Sequence, residues 1–224
     1  MSARDIILNE LLEASHLHGV EALLSWDQET YMPVGAGAAR AEQVAYLTGL
    51  MHAKLVGEPL KNALGELIDL KTGELLVLTL NDRETRQLKE IWRDYRQQAA
   101  LPIEFVKEFA KHASVSQQAW IRARKDNDFA FFEPFLMKMV QMQQEKAKYL
   151  AVGATPYDSL LDQFEPEMTS EKVGGLFEEI RNRLVPLIQK IQEVKHRVNN
   201  SVLTKNYDVD LQWDYGIDML KAIG

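Results

Sequence analysis

Apolar side chains recur from Asp5 to about Glu29 as Ile7, Leu8, Leu11, Leu12, Leu17, Val20, Leu23, Leu24 and Trp26. That spacing predicts one long helix carrying hydrocarbon on more than one face. At 1.5 Å per residue it spans roughly 35–40 Å. A loop, Val34 to Ala39, separates it from a second helix, about Ala39 to Leu55, with Val44, Leu47, Leu50 and Met51 inward. Gly57-Glu58-Pro59 punctuates the chain, and a shorter helix is expected over Leu60 to Leu70. Lys71-Thr72-Gly73 reads as a turn. Glu74 to Leu80, ELLVLTL, is the one stretch where a strand competes with a helix. The helix is expected there, because the neighbouring segments offer a strand no partner.

Asn81-Asp82-Arg83-Glu84 has the form of a capping box, in which a short polar side chain bonds an orphan N–H and a glutamate reaches back. The helix it opens carries Leu88, Ile91, Trp92 and Tyr95 on one face. Pro102 suits a first helical position, where its missing N–H costs nothing. Ile103, Val106, Phe109, Ala110, Ala113 and Trp120 mark the helix that follows, closed by Lys125 to Asp128. Phe129, Phe131, Phe132 and Phe135 then precede Leu136, Met139 and Met142, an aromatic and methionine stripe of the kind that fills cores. Gly153 ends that helix, and Thr155 to Thr169 is read as a loop. A helix capped by Thr169 or Ser170 follows to about Val198, with Pro186 expected to kink it. Asn199-Asn200-Ser201 is a loop, and Val209 to Ile223 a last helix. No repeat or low-complexity linker divides the chain. Residues 1–224 therefore read as a single helical domain, an all-α, long-helix bundle, with 153–169 as the place of any subdivision.

Composition changes this picture little. Hydrophobic residues at 46% and charged residues at 26% are ordinary for a globular chain. A net charge of −7 argues against nucleic acid or an anionic membrane as partner. No window approaches the ~18 apolar residues that a membrane span requires, and the mixed-charge N-terminus is not a signal peptide. A cytoplasmic location is the expectation. The absence of cysteine removes thiolate zinc sites and cysteine nucleophiles.

Two stretches concentrate chemistry. Leu23 to Pro33 sets Trp26, Tyr31 and Met32 around Asp27, Gln28, Glu29 and Thr30. Such a knot either locks the first helix to its neighbours or lines a site, and residue chemistry alone favours the lock. Thr155 to Thr169 carries Asp158, Asp162, Glu165 and Glu167 beside Tyr157, Phe164 and two prolines. Those carboxylates suit capping and salt-bridging of a turn better than acid–base work, since no histidine lies near them. Elsewhere, none of the five histidines, His16, His18, His52, His112 and His196, has another four residues on, so HExxH is absent. Glu13 with His16 and Glu193 with His196 have the Glu-x-x-His spacing of carboxylate-bridged di-metal bundles, a minor alternative because the second pair points away from its helix's apolar stripe.

SWDQETYMP (Ser25 to Pro33), with AARAEQ (Ala38 to Gln43) after it, resembles the N-terminal signature of the carboxypeptidase Taq family of metallocarboxypeptidases. YDSLLDQFEPEMT (Tyr157 to Thr169) is similar to that family's YDxLLDxYEPGMT segment, and LVPLI (Leu184 to Ile188) fits as well. Phe164 replaces the usual tyrosine and Glu167 the usual glycine. The resemblance implies a helical peptidase related in fold to the neurolysin and angiotensin-converting enzymes, with a deep groove between two halves. It also implies zinc or cobalt as the metal, held by an HExxH helix and a later glutamate, and removal of single residues from peptide C-termini. Family members commonly form homodimers, which makes a second copy of the chain a candidate partner.

The catalytic and metal residues of the family follow a region like Tyr207 to Gly224, so none has a counterpart here. The chain is therefore expected to be the N-terminal half of such an enzyme, inactive alone, with a peptide and the missing C-terminal catalytic half as partners. Trp26, Asp27, Gln28, Glu29, Tyr157, Asp158, Asp162 and Glu165 are its candidate groove-lining or structural residues. The alternative of another class is a stand-alone helical module that binds peptides or assembles with a separate catalytic half.

Overall fold

The computed structural model describes residues 2–77 and 79–224. The chain divides into two compact units, Met1–Thr169 and Ser170–Gly224. In the first, α1 (Ala3–Thr30) begins with a capping box between Ser2 and Asp5. It packs on α2 (Gly37–Val56) and α3 (Glu58–Gly65). The hydrocarbon that wraps α1 is divided: Ile7 and Ala14 are buried, whereas Leu8, Leu12, Leu23 and Trp26 are exposed. The expected first loop is shorter than Val34 to Ala39, because a 3-10 turn at Val34–Ala36 runs straight into α2.

α4 (Asp82–Ala99) opens with the expected box, Glu84 N–H donating to Asn81 Oδ1 at 3.0 Å and Asn81 N–H to Glu84 Oε2 at 3.0 Å. α5 (Ile103–Asp126) starts one residue after Pro102, which serves as its N-cap. The face of α2 formed by Ala41, Val44, Ala45 and Gly49 is buried, and these small side chains let α5 lie close against it. At Gly49 the stem of Lys107 occupies the place of a side chain, 2.7 Å from where a Cβ would stand. α6 (Phe129–Leu150) packs on α5, and α7 (Pro156–Leu161) on α6. Of the aromatic and methionine stripe on α6, Met142 is buried, Phe131, Phe132, Phe135 and Met139 are half-buried, and Phe129 and Leu136 are exposed. Phe131 instead receives the Arg122 guanidinium on its face, 4.4 Å from the ring centre.

The tightest core joins α1, α3 and α4 through Ile7, Leu60, Ala63, Leu64, Ile68 and Leu88. Here two expectations are corrected. The third helix stops at Gly65 rather than Leu70, and Glu74 to Val77, Thr79 and Leu80 are not helical. The partner that a strand seemed to lack is the segment just before the turn. Freed by the early end of α3, Ile68 pairs with Leu75 in an isolated antiparallel bridge. Asp69 N–H donates to Glu74 O at 2.8 Å and Leu76 N–H to Leu67 O at 2.9 Å. Asp69 Oδ1 takes the Lys71 and Thr72 N–H groups at 2.8 Å each, closing the turn. Trp92 covers it, its indole N–H donating to Leu70 O at 3.0 Å. Gly73 is required there, since φ is 75° and a Cβ would meet the indole ring at 2.7 Å. Leu78, part of the same expectation, lies outside the described residues.

In the second unit, α8 (Ser170–Val194) runs through Pro186 and ends in a 3-10 turn at Lys195–Arg197. A further 3-10 turn, Ser201–Thr204, and the helix α9 (Val209–Ile223) complete it. Among the described residues no helix is long and apolar enough to cross a membrane.

Candidate functional site

The two motif-bearing stretches lie on different supports within the first unit. At the end of α1, three consecutive polar residues reach across to other helices. Asp27 Oδ2 accepts from Arg40 Nη2 at 2.6 Å, and the same guanidinium also bonds the Leu24 carbonyl. Gln28 is buried; its amide donates to Gln117 Oε1 at 2.9 Å and accepts from Ser114 Oγ at 2.8 Å. Glu29 Oε1 accepts from the Gln117 amide at 2.9 Å. Asp27 thus ties α1 to α2, and Gln28 and Glu29 tie it to α5. Trp26 and Tyr31 take no part in this tie. They pack on each other, ring centres 5.4 Å apart, and stand largely in solvent.

Removing Gln28 tests the tie. In Gln28→Leu the Ser114 hydroxyl and Gln117 amide lose their buried partner, and unsatisfied groups of this kind each cost about 1–3 kcal/mol. The variant should lower unfolding stability by about 2 kcal/mol, read from its urea midpoint. A change indistinguishable from zero would show the network to be dispensable.

The second stretch, Thr155 to Thr169, is not a plain loop: Pro156–Leu161 is helical, begun by a capping box between Thr155 and Asp158. Asp158 Oδ2 accepts the N–H groups of Thr155 at 3.0 Å and Ala154 at 3.2 Å. Ser159 Oγ bonds the Val152 backbone in both directions, at 2.7 and 2.9 Å. Gly153, at φ 77°, lets this turn close, since a Cβ would sit 2.5 Å from Asp158 Cβ.

Asp162 anchors the other end of the stretch. It is buried and accepts from Arg93 Nη2 at 3.1 Å, Gln97 Nε2 at 3.0 Å and Glu167 N–H at 2.8 Å. Arg93 also bonds the Asp162 carbonyl. Burial pushes the Asp162 carboxyl up, but the bonds from Glu167, Arg93 and Gln97 outweigh it and hold the group below its ordinary value. Glu167, at the family's usual glycine, has φ 64°, the left-handed conformation that glycine adopts freely. Tyr157, Phe164 and Glu165 are exposed.

The structure therefore sets Asp27, Gln28 and Glu29 of α1 against α2 and α5, and Asp158 and Asp162 in a turn fastened to α4. Arg40, which holds Asp27, belongs to the AARAEQ motif, whereas Arg93, Gln97, Ser114 and Gln117 are not among the sequence candidates. The available signal was their polarity beside otherwise apolar helix faces. Nothing in the sequence says which carboxylate each one meets.

As for metal, no cluster of three or more histidine, aspartate or glutamate side chains is placed to hold an ion among the described residues. Glu13 of the di-metal alternative is taken by Lys54, with Nζ 2.6 Å from its Oε2. His112 is buried with Nε2 3.0 Å from the Phe135 carbonyl and 3.2 Å from Ser116 Oγ. The residues present do not fit the metal that the family resemblance implies.

The family model for carboxypeptidase Taq (M32) metallopeptidase matches residues 7–224. The chain belongs to this family. Thermostable carboxypeptidase 1 of Thermus thermophilus is 31% identical over 227 residues, which take in 95% of this chain and 42% of that protein. Carboxypeptidase 1 of Bacillus subtilis is 25% identical over 214 residues, 96% of this chain and 42% of its own. The fold follows that of M32 carboxypeptidases. The BsuCP crystal structure superposes with a TM-score of 0.88 at 23% identity, over 99% of this chain and 43% of that one. The Pyrococcus furiosus carboxypeptidase structure gives 0.77 at 26% identity, over 98% and 43%. The chain spans less than half the length of the M32 relatives it matches.

Proposed function

We propose that this chain forms the N-terminal helical wall of the substrate groove in a metal-dependent carboxypeptidase that removes C-terminal residues from peptides. The observation that carries the reading is the M32 match over residues 7–224 in a sequence without HExxH. Support comes from the two family motifs, whose polar residues brace the wall: Asp27, Gln28 and Glu29 at one end of α1, Asp158 and Asp162 in the turn around α7. The overall architecture would be that of the neurolysin and angiotensin-converting enzymes. The divalent metal and its general base would come from the other half of the enzyme, and no catalytic step is assigned to residues here.

The reading predicts that the purified 224-residue chain, supplied with zinc or cobalt, releases no C-terminal residue from a blocked dipeptide. Fusing it to the C-terminal part of the Thermus thermophilus relative should restore release. Metal-dependent hydrolysis by the chain alone would overturn its inactivity. A folded fusion that still does nothing would overturn the groove-wall role and favour a stand-alone binding module.

A further inference from the structure

We propose that a cavity of about 390 Å³ between α1, α2, α3 and α4 binds a small organic ammonium, with Asp94 as its counter-ion. Leu11, Leu55, Leu60 and Ile91 provide the apolar lining. Leu60 is fully buried and the other three are half-buried, so the floor is dry and the walls partly open. The polar lining comes from α4 alone: Asp94, which is exposed, and Tyr95, Gln97 and Gln98, which are half-buried. A mostly apolar pocket with a few convergent polar groups is the usual form of a small-molecule site.

The charge of the ligand follows from the surrounding cations, each of which is engaged elsewhere. Arg93 bonds Asp162, Lys61 lies 2.9 Å from Glu58, and Arg96 sits over the Trp92 ring, 5.0 Å from its centre. Among the described residues Asp94 has neither a hydrogen bond nor an ion pair. Burial pushes its carboxyl up, Arg93 offsets part of the rise and Glu90 adds to it. The Tyr95 hydroxyl and the Gln98 amide likewise have no hydrogen-bond partner among the described residues. A primary ammonium has three N–H donors and no acceptor. Asp94, the Gln98 amide oxygen and the Tyr95 hydroxyl offer three acceptors from α4 to a space otherwise lined by hydrocarbon. A carboxylate ligand would meet Asp94 with the wrong sign, and a neutral alcohol would leave its charge unpaired.

Titration of the whole 224-residue chain with hexylammonium, followed by methyl NMR, tests this assignment. Saturable shifts are expected at Leu11, Leu55, Leu60 and Ile91, with weaker binding of 1-hexanol. Asp94→Asn should weaken hexylammonium about five-fold, the worth of one partly exposed ion pair, while leaving hexanol unchanged. Glu133→Gln, which removes an exposed charge on α6 and not in the cavity lining, should leave both unchanged. Circular dichroism confirms that each variant is folded. Equal affinity for hexylammonium and hexanol, an unaltered Asp94→Asn, or shifts confined to other methyl groups would each overturn the proposal. None of these outcomes depends on peptidase activity.

Discussion

Asp162→Ala is expected to destabilise the first unit by about 3 kcal/mol, the range found when one partner of a buried ion pair is removed. Arg93 is 20% exposed and Asp162 7% exposed at the side chain, so the guanidinium, left with only the residue 162 carbonyl, has little recourse to water. The Gln97 amide and the Glu167 N–H lose their acceptor in the same stroke. Asp162→Asn should cost less, since an amide oxygen still accepts while the charge attraction is lost. Urea denaturation at neutral pH reads both values; a loss below about 1 kcal/mol for the alanine variant would place the pair among weak surface bridges.

The same carboxylate makes a pH prediction whose sign is fixed by the direction of its shift. Its folded value lies below the ordinary 3.8. Its contribution is therefore complete above that ordinary value and is lost as pH falls through the lower folded one. Wild-type stability should decline below about pH 4. Asp162→Asn should show a shallower decline.

Leu64→Ala should cost about 3 kcal/mol, within the range for removing most of a buried leucine side chain. Leu64 is completely inaccessible to solvent and lies among Ile7, Leu60, Ala63, Ile68 and Leu88. Collapse into the space is restricted on one side by the turn that follows α3, which is held by the Ile68–Leu75 bridge and by Trp92. Hydrogen exchange at the amides of α3 and at Ile68 should accelerate together, because these residues share the emptied site. Unchanged protection at Ile68 would show that the turn does not depend on the α3 core.

Most helices are legible because apolar periodicity and caps agree: α1 and α9 begin and end, and α4 begins, close to where their sequences place them. The segment from Glu66 to Leu80 is not. Its outcome rests on a pairing between residues on either side of Lys71-Thr72-Gly73, and local pattern does not reveal whether α3 runs past Gly65. The α6 stripe was only partly core, since helical spacing shows which residues share a face and not which neighbour covers them. The candidate residues were legible as motifs, but their roles depended on partners far away in the chain: Ser114 lies 86 positions from Gln28, and Arg93 lies 69 from Asp162.

The left-handed turn at 167 bears on which sequences this scaffold tolerates. Glycine there is indifferent to its surroundings, whereas glutamate is held in an unfavourable conformation partly by one backbone bond to Asp162. The two positions are thereby made interdependent. A lineage with glycine at 167 that lost Asp162 would forfeit the Arg93, Gln97 and 167 N–H contacts but release no strain. One with glutamate would also release a strained turn, so the order in which the two substitutions arise decides whether the chain survives the second.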